Sequence, residues 1–250
     1  MKRKTFFGKI RIKNKNIVEL FKEIYNLLQM ITKGDVLVKK GDFLWGLGIL
    51  AFILFIIFPT THEIFVSATA SHPYMVGFLK FFILATMGEL LAVRIVKGEW
   101  EKPRGLIWRA VIWGLLGSLL VAIFGIYATG VGSLVEKGLL PGKGMPIIVA
   151  FLISSFMNIT FAPTMMMAHR ITDTYIDLKY AGNDKVTLKE IAEEIDWNGF
   201  ISFVLFKTVP IFWIPAHTIT FMLPPEYRVL AAAMLSIALG AILAFAKKKK

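Results

Sequence analysis

Six stretches of this chain are apolar for long enough to read as membrane crossings: residues 43–58, 74–96, 106–129, 146–168, 199–222 and 229–246. Apolar runs of about 18 residues or more point to transmembrane helices, because only a helix satisfies its own backbone in lipid. Runs two to five hold about 23 residues each, roughly 34 Å at ~1.5 Å per residue, enough for a tilted crossing. The first run is the shortest and is stopped by Pro59. Together they predict an all-α, polytopic membrane helical bundle of about six spans.

Two shorter segments show helical spacing with one apolar face. In 16–31, Ile17, Leu20, Phe21, Ile24, Leu27, Leu28 and Ile31 recur every three or four positions. Asn16 and Glu19 open this segment like a capping box, and it reads as a helix lying on the membrane surface. In the polar insertion 169–198, Thr187 and Glu190 form a second capping box, followed by a stripe of Leu188, Ile191, Ala192 and Ile195. This gives two regions: a basic N-terminal segment with its surface helix, 1–42, and a membrane domain, 43–250.

Composition supports the membrane reading. The 250 residues are 56% hydrophobic and 18% charged, with a mean hydropathy of +0.65. A soluble domain would carry about 25% charged residues. A net charge of +12 would suggest nucleic acid in a soluble protein. Here its distribution argues otherwise. Of the 29 Lys and Arg, 23 fall in residues 1–40, 97–109, 169–198 and 247–250, whereas the remaining loops hold Lys137, Lys143 and Arg228. By the positive-inside rule both termini face the cytoplasm or its equivalent, which requires an even number of spans. The expected partners are the bilayer, with anionic lipids at the basic face, small solutes and a second copy of the chain, and not nucleic acid. The lysine-rich N-terminus suggests a prokaryotic plasma membrane, the alternative being a mitochondrial inner or peroxisomal membrane. No cleavable signal peptide is expected, since the first long apolar run begins near Phe43.

Ionisable groups inside apolar runs are the informative exceptions, because each costs at least ~2.5–3.5 kcal/mol near the bilayer centre. Lys80 and Arg94 lie near opposite ends of run two and can snorkel. Glu89 is deeper and its side chain too short to reach the headgroups. Lys207 enters run five from the same side to nearly the same depth, so Glu89 and Lys207 are expected to pair or to share a water-filled cavity. Asn158 lies mid-way along run four. Run five carries Pro210, Pro215 and His217 and is expected to be kinked and to line a polar path. Gly114 and Gly117 give run three a small surface for close helix approach.

Searches for chemistry return little. Thr61-His62-Glu63-Ile64-Phe65-Val66 opens like a zinc-protease helix but has no second histidine at the required position. Asp173 and Asp177 are one turn apart, with no further ligand for a metal evident nearby. Cysteine is absent, so disulfide and thiolate chemistry are excluded. No phosphate loop or nucleophile elbow occurs. Neither a cofactor, a metal nor an enzymatic activity is expected.

The motifs nonetheless form an order. His72-Pro73 is followed, sixteen residues after the histidine, by Gly88-Glu89. Run three carries Gly114-Leu115-Leu116-Gly117-Ser118 with Phe124 beyond it. Run four ends its polar stretch with Asn158 and Phe161-Ala162-Pro163. Run five closes on Pro215, Phe221, Pro224, Tyr227 and Arg228. Over 71–246 this resembles the Mpv/PMP family of small peroxisomal and mitochondrial membrane proteins. Glu89 stands where that family has an aspartate, and Asn158 where it has a glutamine. Met157, Ile214 and Thr220 depart from its Asp, Trp and Asn, and Val93-Arg94 from its Gln-rich pair. The resemblance implies a compact helical bundle that passes small solutes. The expected polar path comprises Glu89, Lys207, Asn158, His217, Pro215, Arg94 and Lys80. The alternative is a non-conducting membrane scaffold that organises lipids or partners.

Overall fold

The computed structural model describes residues 38–248, with side chains to residue 242. The surface helix expected over 16–31 lies outside these residues. By internal contacts the chain divides into two units, residues 1–50 and 51–250. In the first unit, the described part is the start of helix α1, Lys40–Ile57, where Asp42 Oδ2 accepts a hydrogen bond from Lys39 N at 2.8 Å.

The second unit holds the rest: α2 (Pro59–Ser71), α3 (Pro73–Lys97), α4 (Leu106–Glu136), α5 (Pro146–Thr160), α6 (Ala162–Tyr180), α7 (Leu188–Glu194) and the single turn α8 (Trp197–Gly199). A π-helix (Phe200–Trp213), α9 (Ile214–Met222) and α10 (Pro225–Lys248) complete it. Among the described residues, five helical stretches are long and apolar enough to cross a membrane, and six if the bent pair α5–α6 counts as one. The described residues are thus all-helical, and the chain has the composition of an integral membrane protein.

Proline punctuates these elements. Pro59, Pro73, Pro146, Pro163 and Pro215 each sit in the first turn of a helix, where the missing amide costs nothing. The segment after Pro59, expected as a loop, is instead the helix α2. Its His62 Nε2 meets the Tyr227 hydroxyl of α10 at 3.1 Å, while His62 Nδ1 lies 2.8 Å from Ile56 O. At the other end of α3, Gly98 adopts φ 77° and closes the helix, with its carbonyl accepting from Arg94 Nη1 at 2.6 Å.

The centre of the bundle is α3, which packs most extensively on α4 and α10. Small residues permit both contacts. A Cβ on Gly77 would fall 3.0 Å from the Gly117 carbonyl oxygen, and one on Gly88 would fall 3.1 Å from Ile237 Cα. Gly114 faces the Phe78 ring in the same seam. The core along these faces contains Leu84, Ala85, Leu120, Phe124, Ala233 and Ile237. Outward, Leu79, Ile83, Leu115, Ile126, Phe151 and Phe206 are exposed. Apolar residues inside and outside alike suit a bundle whose solvent is lipid.

Three elements depart from expectation. Run three continues seven residues further, to Glu136, because Val131 and Val135 are buried and draw the helix on until Gly138 turns at φ 72°. Run four breaks at Phe161 by 45°, just before Pro163, and its second half continues as helix to Tyr180. The polar insertion therefore begins as a helix. Run five, expected to kink at its prolines, continues as one helical stretch, Trp197–Met222, and answers them with a long π register: Ile214 N bonds to Val209 O, five residues back. Pro210 lies within this stretch, where it has no amide to donate.

The capping box of α7 is present in full. Its apolar stripe is only half used, however: Ile191 and Ile195 are buried, whereas Leu188 is 81% exposed and Ala192 is exposed as well.

Candidate functional site

A cavity of about 310 Å³ lies among α3, α4, α5, α6, the π-helix, α9 and α10. Its wall is mainly apolar, from Phe81, Ala85, Leu120, Met165 and Leu239, and polar groups enter it in two clusters. Each cluster contains a tryptophan packed on a histidine.

The first cluster is Asn158, His217 and Trp213. Asn158 is 1% exposed; its Nδ2 donates to Ser154 O at 2.8 Å and lies 3.1 Å from His217 Nδ1. His217 Nδ1 also lies 3.3 Å from Asn158 Oδ1, so the imidazole accepts from or donates to the Asn158 amide according to its tautomer. The His217 ring stacks on Trp213 at 5.1 Å between centroids and meets Phe124 edge-on at 5.7 Å. Ser154 Oγ donates to Ile214 O at 2.8 Å, tying α5 to the start of α9.

The second cluster is Glu89, Trp113 and His169. Glu89 Oε1 accepts from Trp113 Nε1 at 2.7 Å, and the Trp113 and His169 rings lie 4.1 Å apart. Behind His169, one helical turn on, stands Asp173, with Nδ1 3.5 Å from Oδ2. Arg109 at the start of α4 anchors this end: Nη1 is 2.8 Å from Asp173 Oδ1, and Nη2 donates to Asp177 at 2.6 Å. The loops before α4 and after α5–α6 therefore lie at the same end of the bundle, as the charge distribution implies.

Of the residues expected on a polar path, Glu89, Asn158 and His217 line the cavity together. The others do not. Lys207 is exposed, and Glu89 is bonded to Trp113 instead, so the expected Glu89–Lys207 pair is not formed. Counting residues gave the depth of Lys207, but not the side of the helix it occupies; Val204 and Thr208 are the neighbours that face the cavity. Pro215 is exposed and starts α9 without facing the cavity. Arg94 folds back onto its own helix end, as above.

Lys80 does not snorkel to the surface. It is 4% exposed and lines a second cavity, of about 290 Å³, with Thr69, Glu226 and Arg228. Its Nζ donates to Thr69 Oγ1 at 3.1 Å and to Glu226 O at 3.3 Å, and sits 4.4 Å above the Phe65 ring. Hydrogen bonds and a cation–π contact thus replace the water that the ammonium gave up.

The remaining motif residues are structural. His72 caps α3 from an exposed position and Pro73 starts it. Phe161 and Pro163 mark the break between α5 and α6. Phe221 is buried against Phe124, and Arg228 lies over its ring at 5.6 Å while donating Nε to Leu223 O. Pro224 is exposed in the turn, where its carbonyl accepts from Tyr227 N.

The expectation that nothing accompanies Asp173 and Asp177 is corrected. Glu89, His169 and Asp173 each present a ligand atom, all within 4.8 Å of one another. His169 and Asp173 share the i, i+4 spacing that puts two side chains on one helix face, which the sequence displays. Glu89 and Trp113 join them only through tertiary packing. Comparison of the chain with protein-family models, with curated proteins and with solved structures finds no match in any of the three.

Proposed function

We propose that this chain is a multi-span membrane protein that passes small solutes through the bundle, the function that the Mpv/PMP resemblance implies. One observation carries the reading: a cavity of about 310 Å³ among candidate spans, with Glu89, Asn158 and His217 in its otherwise apolar wall. Pockets for small molecules have this size and this mixture of apolar wall and few fixed polar groups. A half-buried carboxylate held by one indole keeps an oxygen for a passing polar group.

The solute would enter among α3, the α5–α6 break and the π-helix, elements whose helical bonding is already interrupted. Such interruptions are tolerated at membrane depth where they line a cavity.

The test is efflux of graded solutes from liposomes holding the purified protein. Leakage with a size cutoff, altered by Glu89→Gln, is the expected result. Liposomes that stay tight under every condition would overturn the reading in favour of a scaffold.

A further inference from the structure

We infer that Glu89, His169 and Asp173 form a binding site for a divalent first-row transition-metal ion. The site stands whether or not the cavity conducts.

The strongest observation is at His169 Nδ1. It lies 3.5 Å from Asp173 Oδ2, beyond the 2.7–3.2 Å range of an ordinary N–H···O bond. A separation near 3.5 Å suits two ligands of one ion, since bonds of about 2.0–2.2 Å place tetrahedral ligand atoms about 3.4 Å apart.

The carboxylates are arranged to match. Glu89 uses Oε1 for Trp113, which leaves Oε2 available. Asp173 pairs through Oδ1 with Arg109, which leaves Oδ2. Each carboxylate is thus held in place through one oxygen and offers the other, the way supporting contacts orient ligands at metal sites. All three ligand atoms lie within 4.8 Å of one another, so modest side-chain rotation closes the set.

A plain ion-pair network accounts for Arg109, Asp173 and Asp177, but does not explain the position of Glu89 or the spacing at His169 Nδ1. Charge also favours a cation: Glu89, Asp173 and Asp177 carry three negative charges against the two positive charges of Arg109 and Arg170. One imidazole with two carboxylates selects zinc, cobalt, manganese or iron, whereas calcium and magnesium prefer oxygen ligands alone.

The experiment uses the full-length, tag-free protein in detergent, stripped with chelator and titrated with Co²⁺. One equivalent should bind and give a visible ligand-field spectrum. His169→Ala, Glu89→Gln and Asp173→Asn should each weaken binding at least tenfold, while His72→Ala, at an exposed histidine outside the cavity, should leave it unchanged. No cobalt spectrum in the wild type, or equal binding by His169→Ala, would overturn the site. Should the variants fail to fold, X-ray absorption of the wild-type zinc complex decides: one imidazole among oxygen ligands is expected, and none, or two or more, would overturn it.

Discussion

Asn158 and His217 lie side by side, Nδ2 to Nδ1 at 3.1 Å, although 59 residues separate them. One belongs to the helix that breaks at Phe161 and the other to the helix that begins after the π stretch. Both are buried, and the contact joins the two interrupted spans at the cavity wall.

The pair should therefore be energetically coupled. Asn158→Leu and His217→Phe are each expected to destabilise, because each leaves a buried polar group of the partner unsatisfied, at about 1–3 kcal/mol. The double variant should lose less than the sum, with a coupling of about 0.6–1.7 kcal/mol, the range for hydrogen bonds between membrane helices. Unfolding of the four proteins in mixed micelles measures the cycle, and additive losses would mean the contact is incidental.

Glu89 and Lys207 should behave as strangers. With Lys207 exposed and Glu89 on Trp113, the Glu89→Gln, Lys207→Met cycle should be additive within about 0.5 kcal/mol. Trp113→Phe, by contrast, should cost about 1.5–3 kcal/mol, because it removes the donor to a half-buried carboxylate. Glu89→Gln keeps an acceptor for that indole and should cost less. The same unfolding assay ranks all three.

Glycines in the α3–α4 seam should differ sharply from glycines elsewhere on α4. An alanine at Gly77 would bring Cβ 2.6 Å from Val121 Cγ2, and the seam must open. The expected loss is about 1–3 kcal/mol, as for other overpacked sites. Gly125 has no atom within 4 Å of its would-be Cβ, so Gly125→Ala should be neutral or stabilising by up to about 1 kcal/mol. Equal effects at the two positions would contradict the packing described.

The α7 capping box should titrate. Thr187 N and Oγ1 both donate to Glu190 Oε2 at 2.8 Å, and these bonds hold the carboxyl below its ordinary value of 4.5. A depressed folded pKa means that the cap's contribution is complete above 4.5 and disappears as pH falls through the lower, folded value. The amide proton of Thr187, followed by NMR, should show that low midpoint, and Glu190→Gln should abolish it. A midpoint at or above 4.5 would count against the bond.

How much of this was legible beforehand follows from the range over which each signal acts. Spans, caps and breaks are local, so Pro59, Pro73 and the Thr187–Glu190 box announced them. The place of Glu89 along its own helix was also readable, since it needs only a count of residues. Its partner was not, because facing depends on how α3 turns toward α4, and Trp113 looked like any apolar residue. Lys207 was misplaced for a related reason: i→i+5 bonding turns the chain less per residue, and the usual helical wheel fails across 200–213. His169 escaped notice because run four was expected to end at Ala168, one residue before it, when α6 in fact runs on through it to Tyr180.

The π-helix has one further consequence. Bonding five residues back packs more residues into each turn than an α-helix needs, so Phe200–Trp213 holds slack. Removing about two residues there can be absorbed by a return to α bonding, which makes the same turns with fewer residues, so that α9 and His217 stay in place. The same deletion in α3 would swing Gly88 off Ile237 and Gly77 off Gly117 at a stroke. Tolerance to changes in chain length should thus be greatest in a span that lines the cavity, the reverse of what its burial would lead one to expect.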